Sequence, residues 1–107
     1  MAVTVYHKLV RDRIPEVIAA AGKTCVTEVL PQEKYIEMLD AKLNEELAED
    51  QESKSMEELA DLLEVVRAVA AARGSSIEEV EKIRCDKAAA RGGFEKRLLL
   101  TEVRDET

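Results

Sequence analysis

The chain has 107 residues, enough for one domain spanning 1–107 and a modest core. Its 46% hydrophobic content excludes simple disorder, and only 3% aromatic residues favours an aliphatic helical core over a sandwich. A net charge of -7 disfavours a stable nucleic-acid partner or an anionic membrane surface, but leaves room for a phosphorylated small molecule held by bound cations.

The opening residues 1–11 read as a basic lead-in carrying Lys8 and Arg11, which are surface charges or phosphate and base contacts. The polar YHKLVRDR run is no signal peptide, and no apolar run is long enough to span a membrane, so the cytoplasm is the expected compartment. Asp12 is expected to cap a short helix through about Ala21, with Pro15 tolerated in its first turn and Gly22 stopping it. Thr24–Leu30 contains Thr and Val and predicts a short strand. Cys25 and Cys85 have no metal-ligand spacing and read as free thiols of a reducing compartment; a single His7 excludes a His-based zinc cluster within one chain.

The first long helix is predicted at about Glu33–Glu52, with Ile36, Leu39, Leu43 and Leu47 on one stripe. At 100° per residue, Glu46 lies roughly 20° from Leu39 and Glu49 about 60° farther round, both at the margin of the buried face. After a turn at Ser53 and Ser55, the second helix runs from about Met56 to Arg73, and Gly74 stops it. Its main apolar stripe is Leu59, Leu62, Leu63, Val66, Val69 and Ala70, flanked by Glu58 and Asp61. Ser55 and Glu58 also match a capping box, so Glu58 fits either a cap or a ligand.

The third helix starts at Ser75 or Ser76 and reaches Ala90 or Arg91, where Gly92 and Gly93 end it. Ile77, Val80 and Ile83 mark its apolar side; Arg84, Lys87 and Arg91 project near the same broad face, either snorkelling or forming a wall for phosphate. Phe94 is expected to anchor the core, with base stacking as the alternative. The KRLLLTEV tail predicts a terminal strand that would pair with Thr24–Leu30. The fold expected is thus an all-α bundle of three principal helices, a short N-terminal helix and terminal β pairing.

The chemistry lies in two acidic runs on neighbouring helices: Glu45-Glu46-x-x-Glu49 and Glu58-x-x-Asp61. Carboxylates three positions apart share one side of a helix. Two such pairs brought together supply hard oxygen ligands, which suit Mg²⁺ with its preference for carboxylates, water and substrate phosphates. Glu46, Glu49, Glu58 and Asp61 are the preferred ligands. Glu45 is a supporting group, a second-metal ligand or a base acting through water. The alternative is a solvated acidic face.

The chain resembles the all-α nucleoside triphosphate pyrophosphohydrolase superfamily, in particular the MazG-like branch with its phosphoribosyl-ATP pyrophosphohydrolase-like proteins. The two acidic runs, the opening YHKLVRDRIPEVI and the late KAAARGGFEKRL carry the resemblance, which covers most of the chain. It implies Mg²⁺-dependent cleavage between the α and β phosphates of a nucleotide, with Mn²⁺ as a substitute, releasing a nucleoside monophosphate and pyrophosphate. It also implies Glu46, Glu49, Glu58 and Asp61 as the metal set and Glu45, Glu46 and Glu49 as the source of the base. Lys87 and Arg91, in the late basic segment with Arg84, are implied for substrate, as are Lys8 and Arg11 of the opening. The substrate would be a nucleoside triphosphate or a phosphoribosyl-ATP-like molecule, with a homodimer or homotetramer as the working assembly and nucleotide-pool cleaning as a role. The short connection before Glu58 departs from members with longer insertions or duplicated domains and leaves the nucleotide open. Two other readings stand beside the enzyme: a noncatalytic nucleotide- or metal-binding regulator, and a helical homo-oligomerisation module.

Overall fold

The computed structural model describes residues 2–105. It is an all-α bundle of four helices: α1 (Ile14–Ala20), α2 (Gln32–Ser53), α3 (Met56–Ala72) and α4 (Ile77–Arg91). Two residues, Lys54 and Ser55, join α2 to α3, and the two helices fold back on each other as a hairpin. Lys54 adopts the left-handed conformation (φ 54°) that ends α2, its N–H donating to the Asp50 carbonyl at 2.7 Å. Ser55 then caps α3, its Oγ accepting from Glu58 N at 3.2 Å.

α3 ends in a Schellman turn. Gly74, at φ +81°, donates to the Ala71 carbonyl and Ser75 to that of Ala70, satisfying carbonyls the helix leaves open. Ser76 caps α4 through Glu79 N. Among the described residues, the one helix that α4 packs against is α3, and α1 packs against none of the other helices.

The core is small. Leu39 of α2 meets Val65 and Val69 of α3, with Leu9, Leu43, Ala68 and Ala72 packed around them. α3 is therefore turned part-way from its expected orientation. Val69 and Ala70 of the expected stripe are buried, but Leu59 and Leu63 are exposed, and Val65, Ala68 and Ala72, on the side of Glu58 and Asp61, join Val69 against α2. Both sides of α3 are apolar, so hydrophobicity alone does not select the buried one. Packing against Leu39 and Leu43 turns the smaller side chains inward and brings the acidic flank to the interface.

Three further expectations are corrected. Asp12 does not cap α1; Arg13 holds that position without a side-chain bond, while Ile14 N donates to the Arg11 carbonyl. Thr24–Leu30 and the KRLLLTEV tail form no strand among the described residues, and Val26, Val29 and Leu98 to Leu100 are exposed. A β-propensity run without a facing partner has nothing to satisfy its backbone groups in a ladder. Phe94 is 97% exposed and anchors no core. Among the described residues no helix is long and apolar enough to cross a membrane.

Candidate metal centre

The hairpin brings the two acidic runs together next to its turn. Glu45, Glu46 and Glu49 offer one oxygen each, all within 4.8 Å of one another; Glu46, Glu58 and Asp61 do the same across the α2–α3 interface. Glu46 belongs to both sets. It is also the one buried charged residue among the described ones, only 6% exposed. Helical spacing accounts for the first set, but the second exists only because α3 presents its Glu58–Asp61 flank to α2.

The carboxylates are poorly satisfied by protein donors. Glu46 Oε2 and Glu58 Oε2 are both enclosed without a hydrogen-bond partner among the described residues. A buried polar atom left without a partner costs about 1–3 kcal/mol, and more when charged. The Glu58 side chain makes no reciprocal capping bond to Ser55: the backbone half of the capping box forms, while the carboxylate turns into the interface. That separates the two roles its sequence position allowed.

Charge repulsion and burial act together on these groups. Burial raises the Glu46 carboxyl above its ordinary 4.5, and the Glu49 charge adds to this while Lys42 opposes it. Glu58 is raised in the same sense, first by burial, then by the Glu49, Asp61 and Glu46 charges, and by a side-chain hydrogen bond shared with Glu49. A divalent cation reverses both effects, because it pairs with the orphaned oxygens and attracts the charges that repel one another. The donor set is all oxygen, as a hard cation such as Mg²⁺ requires. The residues present therefore fit such an ion.

Three cations reach the same carboxylates. Lys8 Nζ lies 3.6 Å from Glu45 Oε1, and Arg11 Nη2 donates to Asp61 Oδ1 at 2.7 Å. Lys42 Nζ stands 3.4 Å from both Glu45 Oε1 and Glu46 Oε1. Lys42 has no place among the sequence-derived candidates, although its spacing of three and four residues before Glu45 and Glu46 was a readable signal. Lys8 and Arg11 thus lie at the acidic site rather than in a separate basic patch.

The basic residues of α4 lie elsewhere. Arg84, Lys87 and Arg91 line an open hollow with Ala88, Gly93 and Phe94, and none of the five acidic candidates lines it. Arg84 is engaged within its own helix, donating from Nε at 2.8 Å and Nη2 at 2.6 Å to the Glu81 carboxylate. This pairing holds the Glu81 carboxyl down to about 2, with Cys85 assisting, and raises the Arg84 guanidinium. Lys87 and Arg91 have no ion-pair partner among the described residues.

No family model matches the chain, and no solved structure matches it. An uncharacterized protein of Mycolicibacterium smegmatis is 57% identical over 42 residues, which is 39% of this chain and 43% of that protein. The chain matches less than half the length of that relative, and the likeness carries no activity with it.

Proposed function

We infer that the α2–α3 hairpin binds a divalent cation, and propose that the bound ion serves hydrolysis of a nucleotide between its α and β phosphates. The observation that supports metal binding is the pair of enclosed, unpartnered oxygens, Glu46 Oε2 and Glu58 Oε2, inside a set completed by Asp61 and bordered by Glu45 and Glu49. Glu46, Glu49, Glu58 and Asp61 would hold the ion, Mg²⁺ by donor type and Mn²⁺ as a substitute. The hydrolytic step rests on the resemblance of the acidic runs and the two flanking segments to pyrophosphohydrolases.

A bound cation supplies Lewis-acid polarisation of phosphate oxygens and a water of lowered pKa. The chain's own contribution is to orient the ligands and receive a proton. A carboxylate of the Glu45, Glu46 and Glu49 set that is not engaged with the ion would accept a proton from water, directly or through another water. Lys8 and Arg11 are close enough to exchange a carboxylate for a substrate phosphate. The exposed apolar face of α3, including Met56, Leu59 and Leu63, would be covered by a second copy in a dimer or tetramer.

A second reading is metal or nucleotide binding without turnover. One observation favours it: the hollow lined by Arg84, Lys87 and Arg91 includes none of the acidic residues. Within one copy, the late basic segment and the metal set do not share a cleft.

Purified protein incubated with Mg²⁺ and a panel of nucleoside triphosphates plus phosphoribosyl-ATP separates these readings. Metal-dependent appearance of monophosphate and pyrophosphate supports the hydrolase. Metal and nucleotide binding without pyrophosphate release supports the binding module. Failure of both kinds of binding, with the assembly intact, leaves the acidic runs as a solvated face of an oligomerisation module.

A further inference from the structure

The segment preceding α1 reaches the acidic site from outside the hairpin. Leu9 packs against the Leu39–Val65–Val69 core, and its two flanking cations reach opposite sides of the hairpin: Lys8 to Glu45 of α2, Arg11 to Asp61 of α3. Lys8 also sits over the Tyr6 ring, 5.7 Å from its centre. An apolar anchor between two cations, each on a different helix, ties α2 to α3 at the point where their carboxylates repel. Arg11 makes the shorter contact, and its partner Asp61 belongs to the set that contains the orphaned oxygens.

We propose that residues 8–11 form an internal counter-ion strap, in which Arg11 competes with the divalent cation for Asp61 and is released when the cation binds. This rests on the metal-binding reading of the hairpin. Without the ion, the strap neutralises the acidic face and holds the hairpin closed. With the ion in place, a guanidinium and a divalent charge on one carboxylate repel each other, and the more weakly held partner leaves. Arg11 is more than half exposed, so its departure returns the guanidinium to full hydration and leaves no buried cation behind. Arg11 is then a positioning residue whose freedom depends on metal.

The test is a Mg²⁺ titration of the full chain, followed by NMR at backbone amides and at the arginine Nε–H groups. In the wild type, Mg²⁺ should shift the amides around Glu46 and Asp61 and, over the same concentration range, make the Arg11 Nε–H more mobile. Arg11→Gln should bind Mg²⁺ about two- to fivefold more tightly, the scale of an exposed ion pair. Lys8→Gln should act in the same direction and more weakly, because its contact is longer. An Arg11 signal that stays ordered at saturating Mg²⁺ overturns the strap, as does unchanged or weaker binding by Arg11→Gln. In both cases the wild-type response at Glu46 leaves the metal site standing. No response to Mg²⁺ anywhere overturns site and strap together.

Discussion

The α2–α3 hairpin and the basic face of α4 both carry clustered charge and treat it in opposite ways. In the hairpin, Glu46 is drawn into the interface, two carboxylate oxygens lose their partners, and two carboxyl groups are pushed toward the neutral form. On α4 the strongest interaction is local, Arg84 to Glu81 three residues away, with both groups facing solvent. A charged residue gains chemical potential from being forced beside other charges in a desolvated place, and α4 does not provide one.

The contrast is most easily broken by removing the packing that creates it. Leu39→Ala should cost about 2–5 kcal/mol by chemical denaturation, because Leu39 is 5% exposed at the centre of a small core. Phe94→Ala at the α4 hollow should stay within about 0.5 kcal/mol, since that ring is exposed. Similar costs for the two would mean that Phe94 contributes to the core as much as Leu39 does.

Next in size is the effect on the ion itself. Glu46→Gln should weaken Mg²⁺ binding by at least roughly tenfold in calorimetry, the lower end of what even supporting groups around metals contribute. Lys87→Gln should leave the affinity unchanged, and a comparable loss there would bring the basic face of α4 into the metal site.

The pH dependence of metal-free stability sharpens the same point. The folded-state values of Glu46 and Glu58 lie above 4.5, so their contribution is fully present below about pH 4.5 and is lost as pH rises through the raised values. Relative to wild type, Glu46→Gln should therefore gain stability as pH increases from 4 to 7. A difference that shrinks over that range would show Glu46 to be stabilised as a carboxylate. Saturating Mg²⁺ should reverse the wild-type trend.

The smallest effect expected is at the hairpin turn. Ser55→Ala removes the cap on Glu58 N and should cost about 1 kcal/mol in thermal or chemical unfolding. No measurable cost would indicate that water or another group caps α3 equally well.

Much of the helical framework was legible from local signals. The Ser55 and Ser76 caps, the Gly74 stop and the three long periodic segments correspond to α2, α3 and α4 within one or two residues. The placement of Glu46 on the Leu39 side of α2 was legible as well, because both belong to one helix with a known pitch, although Glu46 is buried rather than marginal and Leu47 of the expected stripe is exposed. The terminal strands were not: Thr24–Leu30 and Leu98–Leu99–Leu100 have β-like composition, but a strand exists only with a partner. Asp12 has the chemistry of a cap, yet α1 begins one residue too late for it to serve.

Sequence therefore settled much of what depends on neighbours along the chain: the long helices, the Ser55 and Ser76 caps, the Gly74 stop and the grouping of Glu45, Glu46 and Glu49. Tertiary packing decided the rest. It turned the Val65–Val69 side of α3, rather than the Leu59–Leu63 side, toward Leu39, and this carried Glu58 and Asp61 to Glu46. It also laid Lys8 and Arg11 across the carboxylates instead of beside the cations of α4. Backbone propensity and side-chain spacing act within a few residues, whereas the rotation of an apolar helix and the course of an irregular segment are set by which distant surfaces fit together.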